Sequence, residues 1–156
     1  MYPTIVPMLA YEDPAAALEW LASAFGFRER TRIETPDGRI AHAEMQIGDG
    51  MIMLANPSPE YQSPKTHREN CSQAARWQAV PYVVDGHLVH VDNVDEHFQR
   101  AKAAGALILS EPEDEPYGRL YRVEDLEGHR WMFMQPSPTA EDTADSATYE
   151  WVPPGD

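Results

Sequence analysis

The sequence predicts an α+β chain built from two βαβββ modules, and three features of it say so. The order strand, helix, three strands is read twice; a glycine closes both helices at matching places; and Gly38-Arg39-Ile40 in the first half is answered by Gly118-Arg119-Leu120 in the second. The repeat distance of about 80 residues is that of one supersecondary unit copied once. In such a pair, each four-stranded sheet buries one face against its helix and leaves the other open, so that paired curved mixed sheets surround a cavity.

The first module spans residues 3–56. Ile5 to Tyr11 is short and mostly apolar, and Glu12-Asp13-Pro14 is a helix start, with Asp as N-cap and Pro in the first turn. Leu18, Leu21, Ala22 and Phe25 recur at helical spacing, and Gly26 supplies the left-handed stop. Phe27 to Glu34 reads as a strand into the turn Pro36-Asp37-Gly38; Ile40 to Ile47 alternates strictly, and a last strand follows Gly48-Asp49-Gly50 and ends at Ala55. Residues 57–79, rich in Pro, Ser, Gln and Asn, have no sustained period and read as a linker or surface loop.

The second module spans residues 80–135. Val80 to Val84 and His87 to Val91 read as a hairpin or as one broken strand. Asn93 with Glu96 is a capping-box-like pair opening a helix whose buried side is Phe98, Ala101 and Ala104, closed by Gly105. Ala106 to Ser110 is a strand, Pro112 to Gly118 an acidic loop, Arg119 to Glu124 a strand, Asp125 to Gly128 a turn, and His129 to Met134 the closing strand. The tail, residues 136–156, carries Glu141, Asp142, Asp145, Glu150 and Asp156 without a basic partner and is expected to be disordered, with Tyr149 and Trp151 as possible surface clips.

A net charge of -14 argues against a nucleic-acid partner, because phosphate binding needs clustered Lys and Arg. No apolar run approaches the ~20 residues of a membrane span, and Met1 leads into Tyr2-Pro3-Thr4 without a signal-peptide pattern, so a cytoplasmic protein with no membrane partner is expected. The single cysteine, Cys71, fits a reducing compartment and has no base partner in view.

Val6-Pro7-Met8-Leu9-Ala10-Tyr11-Glu12-Asp13, Phe25-Gly26-Phe27, Val91-Asp92-Asn93-Val94-Asp95, Ala103-Ala104-Gly105 and Asp125-Leu126-Glu127-Gly128-His129-Arg130-Trp131 form an ordered set over positions 4–135. In that set the chain resembles the vicinal-oxygen-chelate family of glyoxalases, bleomycin-resistance proteins and dioxygenases, with Leu126 where the family's DPxG turn has proline. Family enzymes resembling glyoxalase I hold a divalent metal with one His or Glu from each of four inner strands. Carried over by position, those places fall on Val6, Met53, Gly86 and Met132. Divalent metals of this kind need nitrogen or oxygen donors at about 2.0–2.2 Å, which none of these side chains offers. No metal and no cofactor is therefore expected. His87 stands one residue from the third place, and only a slip of one residue would turn it inward.

Extending the same register by alternation turns Val6, Met8, Ala10, Met51, Met53, Ala55, Leu88, His90, Arg130, Met132 and Met134 toward the cavity. In the third strand Ala41, Ala43, Met45 and Ile47 should face the helix, which leaves His42, Glu44 and Gln46 for the cavity. The expected ligand contacts are His42, Glu44, Gln46, Met53, His90, Arg130 and Met132, with His42 and Glu44 the candidates for acid–base work. A methionine-rich wall suits a flat or irregular organic molecule, since thioethers adapt their shape and contact aromatic rings well. Trp131 should pack against a helix, while Trp77 and Tyr117 lie where a cavity mouth would be.

The resemblance to the bleomycin-resistance branch implies a homodimer that sequesters a small organic molecule, cationic or aromatic and antibiotic-like, without altering it. The alternative it implies is a glyoxalase-like lyase or isomerase, or a dioxygenase-like enzyme, with an unconventional metal or acid–base centre; that would require His42, Glu44 and His90 to converge.

Overall fold

Capping and register, more than helix propensity, set where the elements begin and end in the computed structural model, which describes residues 2–80 and 83–138. Helix α1 (Pro14–Phe25) opens where the Asp13 carboxylate accepts from the Ala16 amide at 3.1 Å, and closes at Gly26, whose φ of 79° a side chain would resist. The first sheet holds β1 (Met8–Ala10), β2 (Arg28–Glu34), β3 (Ile40–Ile47) and β4 (Gly50–Ala55) in the order β1-β4-β3-β2, with β1 parallel to β4 and the other pairs antiparallel.

The second sheet repeats this plan. It consists of β5 (His87–His90), β6 (Leu107–Glu115), β7 (Gly118–Glu124) and β8 (Arg130–Pro136), ordered β5-β8-β7-β6, with β5 parallel to β8. Its helix, α4 (Val94–Ala103), is opened by Asn93, which accepts from the Glu96 amide. The expected pair of βαβββ modules is the observed fold.

Three segments differ from the sequence reading. The stretch without apolar period holds two short helices, α2 (Pro64–Asn70) and α3 (Ser72–Trp77), and α2 is opened by Ser63 rather than by an amphipathic pattern. The acidic residues placed in a loop instead extend β6 through Glu115, because Asp114 sits opposite Arg119 and pairs with it at 3.1 Å. Two register shifts absorb the extra length. In the segment Val80 to Val84, the described residues form no strand, and Pro81 and Tyr82 lie outside the described residues. The tail from residue 139, with Tyr149 and Trp151, also lies outside them.

One core joins the two modules. Helices α1 and α4 lie against each other, and Phe25 stands beside Phe133, Trp131 and His97, with ring centroids 4.7, 5.7 and 6.1 Å away. His97 is buried, which lowers its affinity for a proton, and its partners suit a neutral ring: Tyr121 Oη donates to Nδ1 at 2.6 Å and Nε2 donates to the Phe25 carbonyl at 2.9 Å. Arg100 reaches from α4 to the end of α1, donating to the Ser23 carbonyl and, alongside the Gly26 amide, to the Ala22 carbonyl. A Cβ on Gly26 would come within 2.9 Å of the Arg100 guanidinium, so the stop residue also admits this clamp. No helix among the described residues is long and apolar enough to cross a membrane.

The connecting helices are fastened by Glu124, which is almost fully buried between two arginines. Arg68 of α2 donates to both of its carboxylate oxygens, at 2.6 and 2.9 Å, and Arg130 donates to Oε1 from Nε and from its NH2 group. Removing one partner of such a set leaves uncompensated buried charge. Glu124→Ala is therefore expected to cost about 3–5 kcal/mol in a urea titration. A loss under about 1 kcal/mol would mean that the arginines find water instead.

Candidate ligand-binding site

Register fixes which side chains share the open face of each sheet. Met8 of β1 stands opposite Met53 of β4, Met53 opposite Glu44 of β3, and Glu44 opposite Thr31 of β2. The intervening Leu9, Leu54, Ala43 and Met45 are buried toward the helices. His42, Glu44, Gln46 and Met53 thus occupy one surface, as alternation predicts. In the second sheet Leu88 stands opposite Met132, and His90 opposite Met134, while Val89, Phe133 and Tyr121 fill the core side.

His87 settles the question of register. It stands opposite Trp131, its ring 4.7 Å from that indole, and therefore lies on the core side of β5 rather than the open one.

The open faces are not equivalent. On the first sheet, Met8, Ala10, His42, Met53, Ala55 and Pro57 line a groove of about 220 Å3, and Met8 is 80% exposed. His42 Nε2 lies 3.3 Å from Glu44 Oε1, and Glu44 itself is buried. Gln46 is held to one side, accepting from Arg28 and donating to the Gly48 carbonyl. On the second sheet, Met132, Leu109 and Arg122 border a hollow of only about 30 Å3, and Leu88 is 54% exposed.

Arg130 belongs to the open face by parity, yet its guanidinium is committed within the chain. Besides Glu124, it donates to the Val80 carbonyl at 2.9 Å and the Gln78 carbonyl at 2.6 Å, which pins the segment after α3. His90 stands on a different sheet from His42 and Glu44, and among the described residues the three do not gather into a group able to hold a metal.

The one such group among the described residues is Asp85, His87 and His129, on the core side and outside the reach of the sequence reading. Its geometry is that of an ion pair. His129 Nδ1 donates to Asp85 Oδ2 at 2.5 Å and Nε2 donates to the Ala10 carbonyl at 2.7 Å, so both ring nitrogens carry protons and neither lone pair is left for a metal. Burial opposes the charge on His129, but the bond to Asp85, the charges of Asp125 and Asp85, and the Ala10 carbonyl outweigh it and push the imidazole up to about 9. Asp85, although burial works the other way, is held well below the usual carboxylate range by His129, His87 and the Arg130 amide.

Beside this pair, Asp125 accepts from Tyr11 Oη at 2.6 Å, Trp131 Nε1 at 3.1 Å, and the Glu127 and His129 amides. Glu127 in turn accepts from the Glu12 and Asp13 amides of the first module. The signal for this cluster was present in the acidic Asp125-Leu126-Glu127 turn, but its partners at positions 10 to 13 are far away in sequence.

Two modules of this topology, with helices packed together and sheets opening outward, define the class of paired βαβββ proteins. A family model for the Glyoxalase/Bleomycin resistance protein/Dioxygenase superfamily matches residues 5–133, and the chain belongs to that superfamily. It is 33% identical over 135 residues to the uncharacterized protein Rv0887c of Mycobacterium tuberculosis (strain ATCC 25618 / H37Rv), covering 86% of this chain and 75% of that one. Among solved structures it is similar to TioX from Micromonospora sp. ML1, at 37% identity and a TM-score of 0.63, covering 86% of this chain and 97% of that one. TnmS3, an antibiotic binding protein from Streptomyces sp. CB03234, shares the fold at 18% identity and a TM-score of 0.56, covering 88% and 99%.

His129 yields a pH dependence. Its pKa is raised from 6.5 unfolded to about 9 folded, so its stabilisation is complete below pH 6.5 and is lost as pH rises through about 9. The difference corresponds to about 3 kcal/mol. Thermal melts of the chain are expected to fall steadily between these limits, and His129→Gln should be less stable and nearly flat over the same range. A wild-type profile without slope there would show that the ring is neutral.

Proposed function

We propose that this chain is a metal-independent small-molecule-binding protein that sequesters an aromatic or cationic, antibiotic-like organic ligand between methionine-lined sheet faces. The observation that carries the reading is chemical. At inner-strand places where a metal enzyme of this fold would present His or Glu, this chain presents Met53 and Met132. Thioethers are poor ligands for hard divalent ions and good walls for flat apolar surfaces.

The small size of the open-face clefts supports a homodimer as part of this reading. A groove of about 220 Å3 is smaller than the roughly 300–1,000 Å3 of a drug-sized pocket, so one sheet alone does not enclose such a ligand. The exposed Met8 and Leu88 leave apolar surface that a second copy would cover, giving each ligand two walls. His42, Glu44, Gln46, Met53, His90 and Met132 are then the side chains nearest the ligand, with Arg130 supporting the wall through Glu124. The shared fold of TnmS3 agrees with this reading, and the lone Cys71 suits a cytoplasmic setting.

A second reading, a lyase, isomerase or dioxygenase-like enzyme with an acid–base or unconventional metal centre, draws on the His42 to Glu44 contact at 3.3 Å. Metal analysis separates the two. Purified protein is expected to hold no stoichiometric zinc, nickel, manganese or iron, and Met132→Glu should not gain any; stoichiometric metal in the wild type would defeat the binding-only reading. In a thermal-shift screen, planar aromatic antibiotics should raise the melting temperature and divalent metals should not.

A further inference from the structure

Glu44 is an unusual residue for the place it occupies. It lies on the inner strand β3, between Met53 and Thr31 in register, on a face where the next apolar neighbour is Met8. Only 6% of the residue is exposed. One carboxylate oxygen meets His42 Nε2 at 3.3 Å, and the other, Oε2, is buried without a hydrogen-bond partner. A carboxylate accepts up to about four hydrogen bonds, and a buried one without donors is costly to the fold. An apolar side chain would serve packing better among these methionines.

No lysine or arginine among the described residues forms an ion pair with Glu44. The cations on the adjacent strand are occupied elsewhere. Arg28 donates to Gln46, Arg32 pairs with Glu29, and the irregularity between Glu29 and Thr31 turns Arg30 onto the Tyr2 ring and the Met51 sulfur. The carboxylate thus lies behind the groove wall formed by His42 and Met53, with Oε2 buried and without a donor, so that a ligand reaches it by displacing the flexible Met53 side chain.

Resting on the proposed binding role, we infer that Glu44 is the charge-selecting anchor of the groove: its free oxygen receives a protonated nitrogen of an aromatic ligand whose flat body lies against Met8 and Met53. His42 acts as a positioning residue, fixing the carboxylate from the opposite oxygen. A charge-assisted bond in a water-poor setting is stronger than its exposed equivalent, which gives the site selectivity between ligands of equal shape. The net charge of -14 attracts the same class of ligand at long range.

The test uses the full chain and two fluorescent probes of similar size, proflavine, a planar tricyclic cation, and anthracene carboxylate, a planar tricyclic anion. Wild type is expected to bind proflavine about tenfold or more tightly than the anion, a difference of one charge-assisted bond. Glu44→Gln and Glu44→Met should each weaken proflavine about tenfold while leaving the anion nearly unchanged. Glu44→Met should also melt at or above the wild-type temperature, because an under-satisfied carboxylate is replaced by a side chain like its neighbours. A purely structural glutamate would give the reverse.

Equal binding of both probes by wild type, or undiminished proflavine binding by the two variants, overturns the anchor while leaving the methionine groove intact as a binding surface. If neither probe binds wild type, the groove itself fails as a ligand wall and the anchor falls with it. If the variants instead dissociate a dimer seen by analytical ultracentrifugation, the partner of Glu44 is a second copy of the chain, and the inference is wrong.

Discussion

The buried turn from Asp125 to His129 is the constraint on which the rest of the molecule depends. A turn would ordinarily sit in water, but here its polar groups are enclosed and must be satisfied from within. The donors and acceptors come from both modules. Tyr11, Glu12 and Asp13 donate from the first, the Ala10 carbonyl accepts from His129, and Asp85 and Trp131 complete the set from the second. Even α2 is attached here, since the Lys65 amide donates to the Glu127 carbonyl. Gly128 is required at that approach: its φ is 92°, and a Cβ would meet the Lys65 nitrogen at 2.8 Å. The cluster joins the end of β1, the start of α1, the connecting helices and the β7–β8 turn, and so fixes how the two sheets face.

From that fixed arrangement, strand alternation does the rest. Each sheet has one face closed by α1, α4 and the shared aromatic core, and one face open. Because every side chain on a strand belongs to one face or the other, the placement of Leu9, Leu54 and Phe133 in the core turns Met8, Met53 and Met132 outward together. The methionine character of the open faces is therefore a consequence of core register. It also explains why His87 serves the buried cluster and not the groove.

The duplication is faithful in topology and unfaithful in chemistry. Both sheets have the same strand order and the same parallel edge pair, yet the first presents His42 and Glu44 beside a groove, while the second spends its inner charged residues, Glu124 and Arg130, on holding α2 and the segment after α3. Among the described residues, one copy leaves the His42 and Glu44 side chains bonded only to each other beside that groove. The other turns the equivalent surface into an anchorage for the connection between modules.

The sequence by itself determined the two modules, their helices with caps and stops, and the face of most inner-strand side chains, because capping, glycine stops and alternation are local and carry their signal within a few residues; Ala41, expected to face the helix, is instead exposed, beside the register shift that lets Glu34 pair with Ile40. The places where the resemblance would put metal donors, Val6, Met53, Gly86 and Met132, were likewise legible, since locating them needs only residue identity and position. Tertiary structure alone decided that Arg130 is bound to Glu124 and two backbone carbonyls, that His129 and Asp85 form a buried ion pair closed by Ala10, and that one oxygen of Glu44 is left without a partner. Those outcomes depend on which distant groups meet in a low-dielectric interior, and no local pattern encodes the meeting of residue 10 with residue 129. Helix α2 belongs with them: it has a local cap in Ser63 but no apolar period of its own, and it is held through Arg68 to Glu124 and through the Lys65 amide to the Glu127 carbonyl, partners that exist only once the second module is folded.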